Sequence, residues 1–125
     1  MVKSVIYTLV AIALCLALFL GTHFFLKGQF GEFNAALDEL YKKTENHQVN
    51  REDGYAIKSM WKNKKSKLQV FVPHNDISYI DYWLNEACGL IYTQNYDLAL
   101  GKIEVLKEIT ESLPSSYGIS LENVF

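Results

Sequence analysis

The sequence predicts an all-α protein, one N-terminal transmembrane helix followed by an antiparallel bundle of three or four helices. Three observations predict it. No Asp, Glu, Lys or Arg occurs from Ser4 to Leu26. Apolar residues then recur at three- and four-residue steps along successive segments. No strand-like alternation is sustained; Gln69 to Val72 is β-prone but too short to found a sheet.

The uncharged run comes first. Its 23 residues would form a helix of about 34 Å, enough to cross a hydrocarbon core of about 30 Å with some tilt. A cleaved signal peptide fits poorly. The basic start is only Met1-Val2-Lys3, and the run is longer than the usual signal core. The small residues Ala11 and Ala13 lie mid-run, and Leu20-Gly21-Thr22 carries a large residue where cleavage wants a small one. A lipid-modified Cys15 would want Gly, Ala or Ser before it, whereas Leu14 stands there, so Cys15 reads as a thiol packed in lipid. The chain therefore divides into a transmembrane signal-anchor over 1-27 and a soluble helical domain over 28-125. Lysines flank both ends of the run, so charge counting leaves the orientation open. The very short basic start is the form of a signal-anchor, which puts the C-terminal domain outside the cytoplasm.

Past Gly28 and Gly31, the residues Phe33, Ala36, Leu37, Leu40 and Thr44 form the first soluble stripe. Whether this helix continues the span or breaks at the glycines is left open by the pattern. A turn follows from Glu45 to Asn50, and Asn50 is a good N-cap. The second helix is expected from Arg51 to Phe71, with Ile57, Met60, Trp61, Leu68 and Phe71 inward and Pro73 as its stop. Lys64 interrupts that stripe: either its stem snorkels past the core edge, or the helix is not fully packed there. Asn75 or Asp76 can cap a third helix with Ile77, Ile80, Leu84, Ala87, Cys88 and Ile91 inward. Tyr79, Trp83 and Leu90 widen its apolar face, as befits the central helix of a bundle. Thr93-Gln94-Asn95 turns into a fourth helix ending at Pro114, with Leu98, Ala99, Ile103, Leu106, Ile109 and Leu113 inward. A Ser115-Ser116-Tyr117-Gly118 turn and a Leu121 to Phe125 segment capped by Ser120 close the chain.

The two cysteines belong to different compartments of this plan, so no disulfide between Cys15 and Cys88 is expected. His74-Asn75-Asp76 places a His and a carboxylate two apart, but capping accounts for the triplet and further metal ligands are lacking. No Ser–His–Asp order, glycine-rich phosphate loop, paired CxxC or HExxH motif occurs, and the reading is that the protein is not an enzyme and takes no cofactor. Asn95 to Leu100 has the look of a tetratricopeptide helix, but the repeat that would support it is missing. Lys58, Lys62, Lys64, Lys65 and Lys67 cluster around Trp61 with no acid between them. Either they form a solvated helix face or they meet an anionic lipid or wall polymer. Nucleic acid is disfavoured, since the chain after Leu26 carries eleven basic and fourteen acidic residues. Lys58, Trp61, Lys62, Lys65, Tyr79 and Trp83 are the candidate partner or polymer surface.

The N-terminal span, the Trp- and Lys-rich second helix and the Phe71-to-Ile77 junction with His74 and Asp76 come in that order. They are followed by the helix through Leu113-Pro114 and the closing Ser120-Leu121-Glu122-Asn123-Val124-Phe125. This arrangement resembles the domain of unknown function 4363 family, short membrane-anchored proteins of spore-forming Gram-positive bacteria. The resemblance implies a single-pass membrane protein with a helical exterior domain, and it carries over no catalytic or binding residues. The sequence departs from the pattern in placing Gly54, Gly89 and Gly101 inside helices, each costing up to about 1 kcal/mol against Ala. The functional expectation is a membrane-anchored, non-enzymatic interaction or assembly module that touches lipid through residues 4-26 and meets a protein partner at the membrane surface. The alternative is an extracytoplasmic binder of anionic lipid or wall polymer through the Lys58-Lys67 face.

Overall fold

The uncharged run and the first soluble stripe form one continuous helix. In the computed structural model, which describes residues 1–122, α1 spans Val2–Glu45, α2 Arg51–Leu68, α3 His74–Tyr92 and α4 Tyr96–Glu122. No strand occurs among the described residues. The fold is all-α, as the periodicity predicts.

α1 settles the question left open at the glycines: it passes Gly28 and Gly31 without a break. Two helical glycines cost at most about 1 kcal/mol each. Burying Leu26, Phe30 and Phe33 on one face of the same helix is worth about 1.5–3 kcal/mol per side chain. Burial wins, and the helix stays whole. Its 44 residues reach about 66 Å at ~1.5 Å each. The buried positions Leu26, Phe30, Phe33, Leu37, Leu40 and Thr44 alternate four- and three-residue steps, the spacing of a helix that faces a partner along its length. Before Leu26, none of the most apolar stretch is covered by the rest of the chain. That half is long and apolar enough to cross a membrane.

Two helices end alike. After α1, Gln48 N–H bonds to Lys43 O (2.8 Å) and His47 N–H to Thr44 O (3.1 Å), with His47 at φ 58°. After α3, Asn95 N–H bonds to Leu90 O (2.8 Å) and Gln94 N–H to Ile91 O (3.0 Å), with Gln94 at φ 62°. Both are Schellman closures with a left-handed residue that is not glycine. The rings of His47 and Tyr96 meet at 5.0 Å, so the two turns share one end of the bundle. The α2–α3 junction lies at the other end, where Phe71 meets Phe25 of α1 (ring centroids 5.7 Å). The chain therefore runs up and down in sequence, α4 returning beside α1 to close the bundle.

Starts and stops follow local chemistry, with corrections. Asn50 caps α2 as expected: its Oδ1 accepts from Asp53 N–H and Asp53 Oδ2 accepts from Asn50 N–H, both at 3.0 Å. α2 ends at Leu68, three residues short of the expected Phe71, because Phe71 and Val72 N–H groups both turn back onto Leu68 O. Phe71 is accordingly exposed, not part of the inward stripe. Neither Asn75 nor Asp76 caps α3. Its N-cap is Pro73, whose carbonyl accepts from Asp76 and Ile77 N–H. Leu98, in the first turn of α4, is exposed rather than inward. α4 does not end at Pro114, and the Ser115–Gly118 turn is helix: proline removes one hydrogen bond, not the turns on either side. The expected closing segment is helical as far as Glu122, and its residues 123–125 lie outside the described residues.

The core is made by all four helices, and every inward residue expected for α3 is buried. Lys64 neither snorkels out to water nor leaves the helix unpacked: it lies within the packing and finds partners there. It is 7% exposed, and its Nζ donates to Glu32 and to Gln29 Oε1 (3.0 Å) on α1. The Lys64 ammonium holds the Glu32 carboxyl below its ordinary value of 4.5. α1 and α4 are joined by Asn34, whose Nδ2 donates to Lys107 O (2.9 Å) and Thr110 Oγ1 (2.8 Å). Lys107 also pairs with Asp38 (2.8 Å).

Gly54 differs from the other helical glycines. A Cβ there would stand 2.8 Å from Tyr92 Cε1, while Gly89 and Gly101 have open space. Tyr92 is held between Tyr55 (5.3 Å), the Arg51 guanidinium (5.7 Å) and the Lys58 ammonium (5.5 Å). Gly89→Ala and Gly101→Ala are expected to stabilise by up to about 1 kcal/mol each through helix propensity. Gly54→Ala is expected to lose that gain and to destabilise by about 1 kcal/mol, because overpacking costs 1–3 kcal/mol. Thermal melts of the three variants check it; a gain at Gly54 equal to the other two would contradict the close α2–α3 approach.

Candidate interaction surfaces

The six residues singled out from sequence fall into two groups. Lys58, Trp61, Lys62 and Lys65 lie along α2 and, with Asp81 and Leu84 of α3, line an open hollow of about 240 Å³. Tyr79 and Trp83 lie elsewhere on α3, and Trp83 meets Lys102 of α4.

In the first group, α2 and α3 meet at Asp81. Trp61 Nε1 donates to Asp81 Oδ1 (2.6 Å) and Lys65 Nζ donates to its Oδ2 (2.7 Å). Trp61 is a core residue, 3% exposed, with its ring 5.0 Å from Phe33. The lysine cluster is acid-free only along the chain. In space Lys65 faces Asp81, Lys64 faces Glu32, and Lys58 sits over the Tyr92 ring. Lys62 and Lys67 are exposed. Two of the five lysines are thus paired with carboxylates, which lowers the positive charge this face offers a polyanion.

The second group is aromatic. Tyr79 and Tyr82 are exposed, and their rings meet Trp83 edge-on at 6.2 and 5.6 Å. Lys102 Nζ stands 4.7 Å over the Trp83 ring, a cation–π contact. Trp83 is half-buried, and among the described residues its Nε1 has no hydrogen-bond partner although it is shielded from solvent. An indole N–H left so costs about 1–3 kcal/mol. Tyr82 and Lys102 were missed in the sequence, although Tyr82 stood one residue from Trp83. Lys102 could not be found without knowing that α4 packs on α3.

The remaining polar chemistry is structural. Cys88 is buried, its Sγ donating to Gly54 O (3.7 Å), and burial pushes its thiol up to about 11, far from the range of a nucleophile. His74 Nε2 lies 3.3 Å from Ser78 Oγ in the first turns of α3. Among the described residues, no group of three or more His, Cys, Asp or Glu could hold a metal ion. A further hollow of about 260 Å³ lies between α1 and α4, lined by His23, Lys27, Asn34, Thr110 and Glu111.

The family described as Domain of unknown function (DUF4363) matches residues 26–124, as the sequence resemblance suggested. The match begins at Leu26, the first buried residue of α1. No curated protein and no solved structure matches the chain.

Proposed function

We propose that this chain, which belongs to the DUF4363 family, is a single-pass membrane protein that holds a non-enzymatic interaction module at fixed height over the bilayer. The observation that carries this reading is the unbroken α1. Its exposed apolar half has the length and composition of a span, and its other half supplies Phe30, Phe33, Leu37 and Leu40 to the core. A bundle built on the anchor itself cannot swing as one on a flexible tether does. The same continuity supports retention of residues 1–27, because no extended segment between span and core offers a cleavage site.

The docking face in this reading is the Tyr79, Tyr82 and Trp83 patch with Lys102, and its occupant is another protein. Exposed tyrosines ordered at low conformational cost around a half-buried Trp are what a protein interface uses as anchors. Binding of an anionic lipid or wall polymer by the Lys58–Lys67 face has less support, given the pairing of Lys64 and Lys65 with carboxylates.

The test is in-cell photo-crosslinking. A photo-reactive residue at Tyr82 is expected to capture a protein partner, and one at Lys62 is not. Trp83→Ala should abolish the capture while the chain stays in the carbonate-resistant membrane fraction. Capture from Lys62 alone would reverse the assignment of faces, and release of the chain by carbonate would end the anchor reading.

A further inference from the structure

The end of the bundle nearest the apolar half of α1 carries exposed apolar side chains that the packing leaves unexplained. Val70 is 78% exposed and Phe71 46% exposed, both in the junction between α2 and α3. Their neighbours Leu68 and Val72 are buried, at 0% and 4%. The junction is a tight, hydrogen-bonded turn, with Phe71 N–H to Leu68 O at 3.0 Å and Val72 N–H to Leu68 O at 2.9 Å. It therefore presents Val70 and Phe71 outward from a fixed base. They are the tip of a built loop, not a frayed helix end.

Position along α1 fixes the level of this tip. Phe71 packs edge-on against Phe25, ring centroids 5.7 Å apart at 61°. Phe25 lies at the close of the uncharged run, two residues before Lys27, and its neighbour Phe24 is 65% exposed. In a span beginning near Ser4, Phe24 and Phe25 fall at the edge of the hydrocarbon core, about 30 Å along the helix, just beneath the headgroups. A side chain touching Phe25 is held at the same depth. Lys27 and Lys67 are exposed close by in the chain, suited to anionic headgroups. The opposite end of the bundle, from the α1–α2 turn to the start of α4, stands about 28 Å away along α1.

We propose that the α2–α3 turn is a second membrane contact, in which Val70 and Phe71 enter the lipid interface beside the anchor helix. The proposal rests on the reading of residues 4–26 as a span and adds to it. One helix alone leaves a domain free to tilt about its axis; a second apolar point on the opposite hairpin sets which face of the bundle looks along the membrane. It thereby orients the Tyr79, Tyr82 and Trp83 patch relative to the bilayer.

The experiment uses the full chain in nanodiscs of phosphatidylcholine and phosphatidylglycerol, with or without phosphatidylcholine brominated high on its acyl chains. Native Trp61 and Trp83 emission is the background. Val70→Trp adds an emission that is expected to be blue-shifted and to fall by half or more in brominated discs. Phe71→Trp, a near-isosteric second probe, should behave likewise. Leu98→Trp, at the far end, should add emission that bromine leaves unchanged. Leu14→Trp, in discs brominated deep in the chains, reports the span itself. Quenching at Leu14 without quenching at either Val70 or Phe71 overturns this proposal and leaves the anchor standing. Quenching at none of these positions overturns the anchor reading too. A blue-shifted but unquenched Val70→Trp would mean that protein, such as a second copy, covers the tip, and also overturns the lipid contact.

Discussion

Phe33→Ala is expected to destabilise the domain by about 3–5 kcal/mol, the range for emptying a buried phenylalanine site. Phe33 is fully buried near the middle of the α1 stripe, and its ring meets Trp61 of α2 at 5.0 Å. The lost ring cannot be replaced by collapse of one neighbour, because Leu37 and Leu40 are held in the same rigid helix. A domain of about a hundred residues has only about 5–15 kcal/mol in total, so the variant should unfold at a much lower denaturant concentration. Leu84→Ala on α3 should fall in the same class, about 2–5 kcal/mol. Phe24→Ala, outside the core at 65% exposure, should leave the denaturant midpoint in place. The measurement is urea unfolding of the full chain in detergent, followed by Trp61 fluorescence. A neutral Phe33→Ala would mean that α1 is not built into the bundle, and the continuous-helix account would fail with it.

The parts of this fold legible in the sequence are those where polar and apolar residues alternate in clear register. α3 is the best case: Ile77, Ile80, Leu84, Ala87, Cys88 and Ile91 are read from spacing alone, and all are buried. Leu26 escaped the same reading for a physical reason. Where nearly every residue is apolar, periodicity has no contrast, and a residue that serves the core looks like one that serves lipid. Misreadings elsewhere gather at element ends. Phe71 and Leu98 continue a helical spacing by one more step, but each lies where local hydrogen bonding has already ended or barely begun the helix. Pro114 reads as a stop by a local rule, and the helix runs through it.

The candidate surface was legible as residues and not as a surface. A run of lysines with no acid between them looks strongly cationic, yet Asp81 lies 16 positions from Lys65 and Glu32 lies 32 positions from Lys64. Charge compensation across helices depends on which helices are neighbours, and spacing along the chain does not carry that. Trp61 shows the same limit. Its indole N–H needs a partner when buried, and only the packing of α3 on α2 reveals that Asp81 is the one.

Lys64 brings packing and charge into one residue and gives the second large effect. Its stem is buried among α1 and α2 side chains, while Glu32, its partner, has 66% of its side chain exposed. Lys64→Ala removes three buried methylenes at about 0.8 kcal/mol each, so a loss of about 2 kcal/mol is expected. Lys64→Met keeps a stem of similar length and removes an ammonium that is poorly solvated. Replacing a buried charge by a well-packed apolar group is often neutral or stabilising. Glu32 is free to return to water, so Lys64→Met should match the wild type or exceed it by up to about 1 kcal/mol. The pH dependence separates the two contributions. The hydrogen bond from Lys64 depresses the Glu32 carboxyl below 4.5, and that from Lys107, then Lys42, depresses Asp38 below 3.8. A depressed carboxylate stabilises the fold above its unfolded value and loses that contribution as pH falls through its folded value. Wild-type melting temperature should therefore decline on acidification from about pH 5 downward. In Lys64→Met the Glu32 share of that decline should vanish and the Asp38 share remain, giving a shallower curve that begins at lower pH. If Lys64→Met proves as destabilising as Lys64→Ala, the salt bridge outweighs the stem, and the ordering of packing over charge argued for this site is reversed.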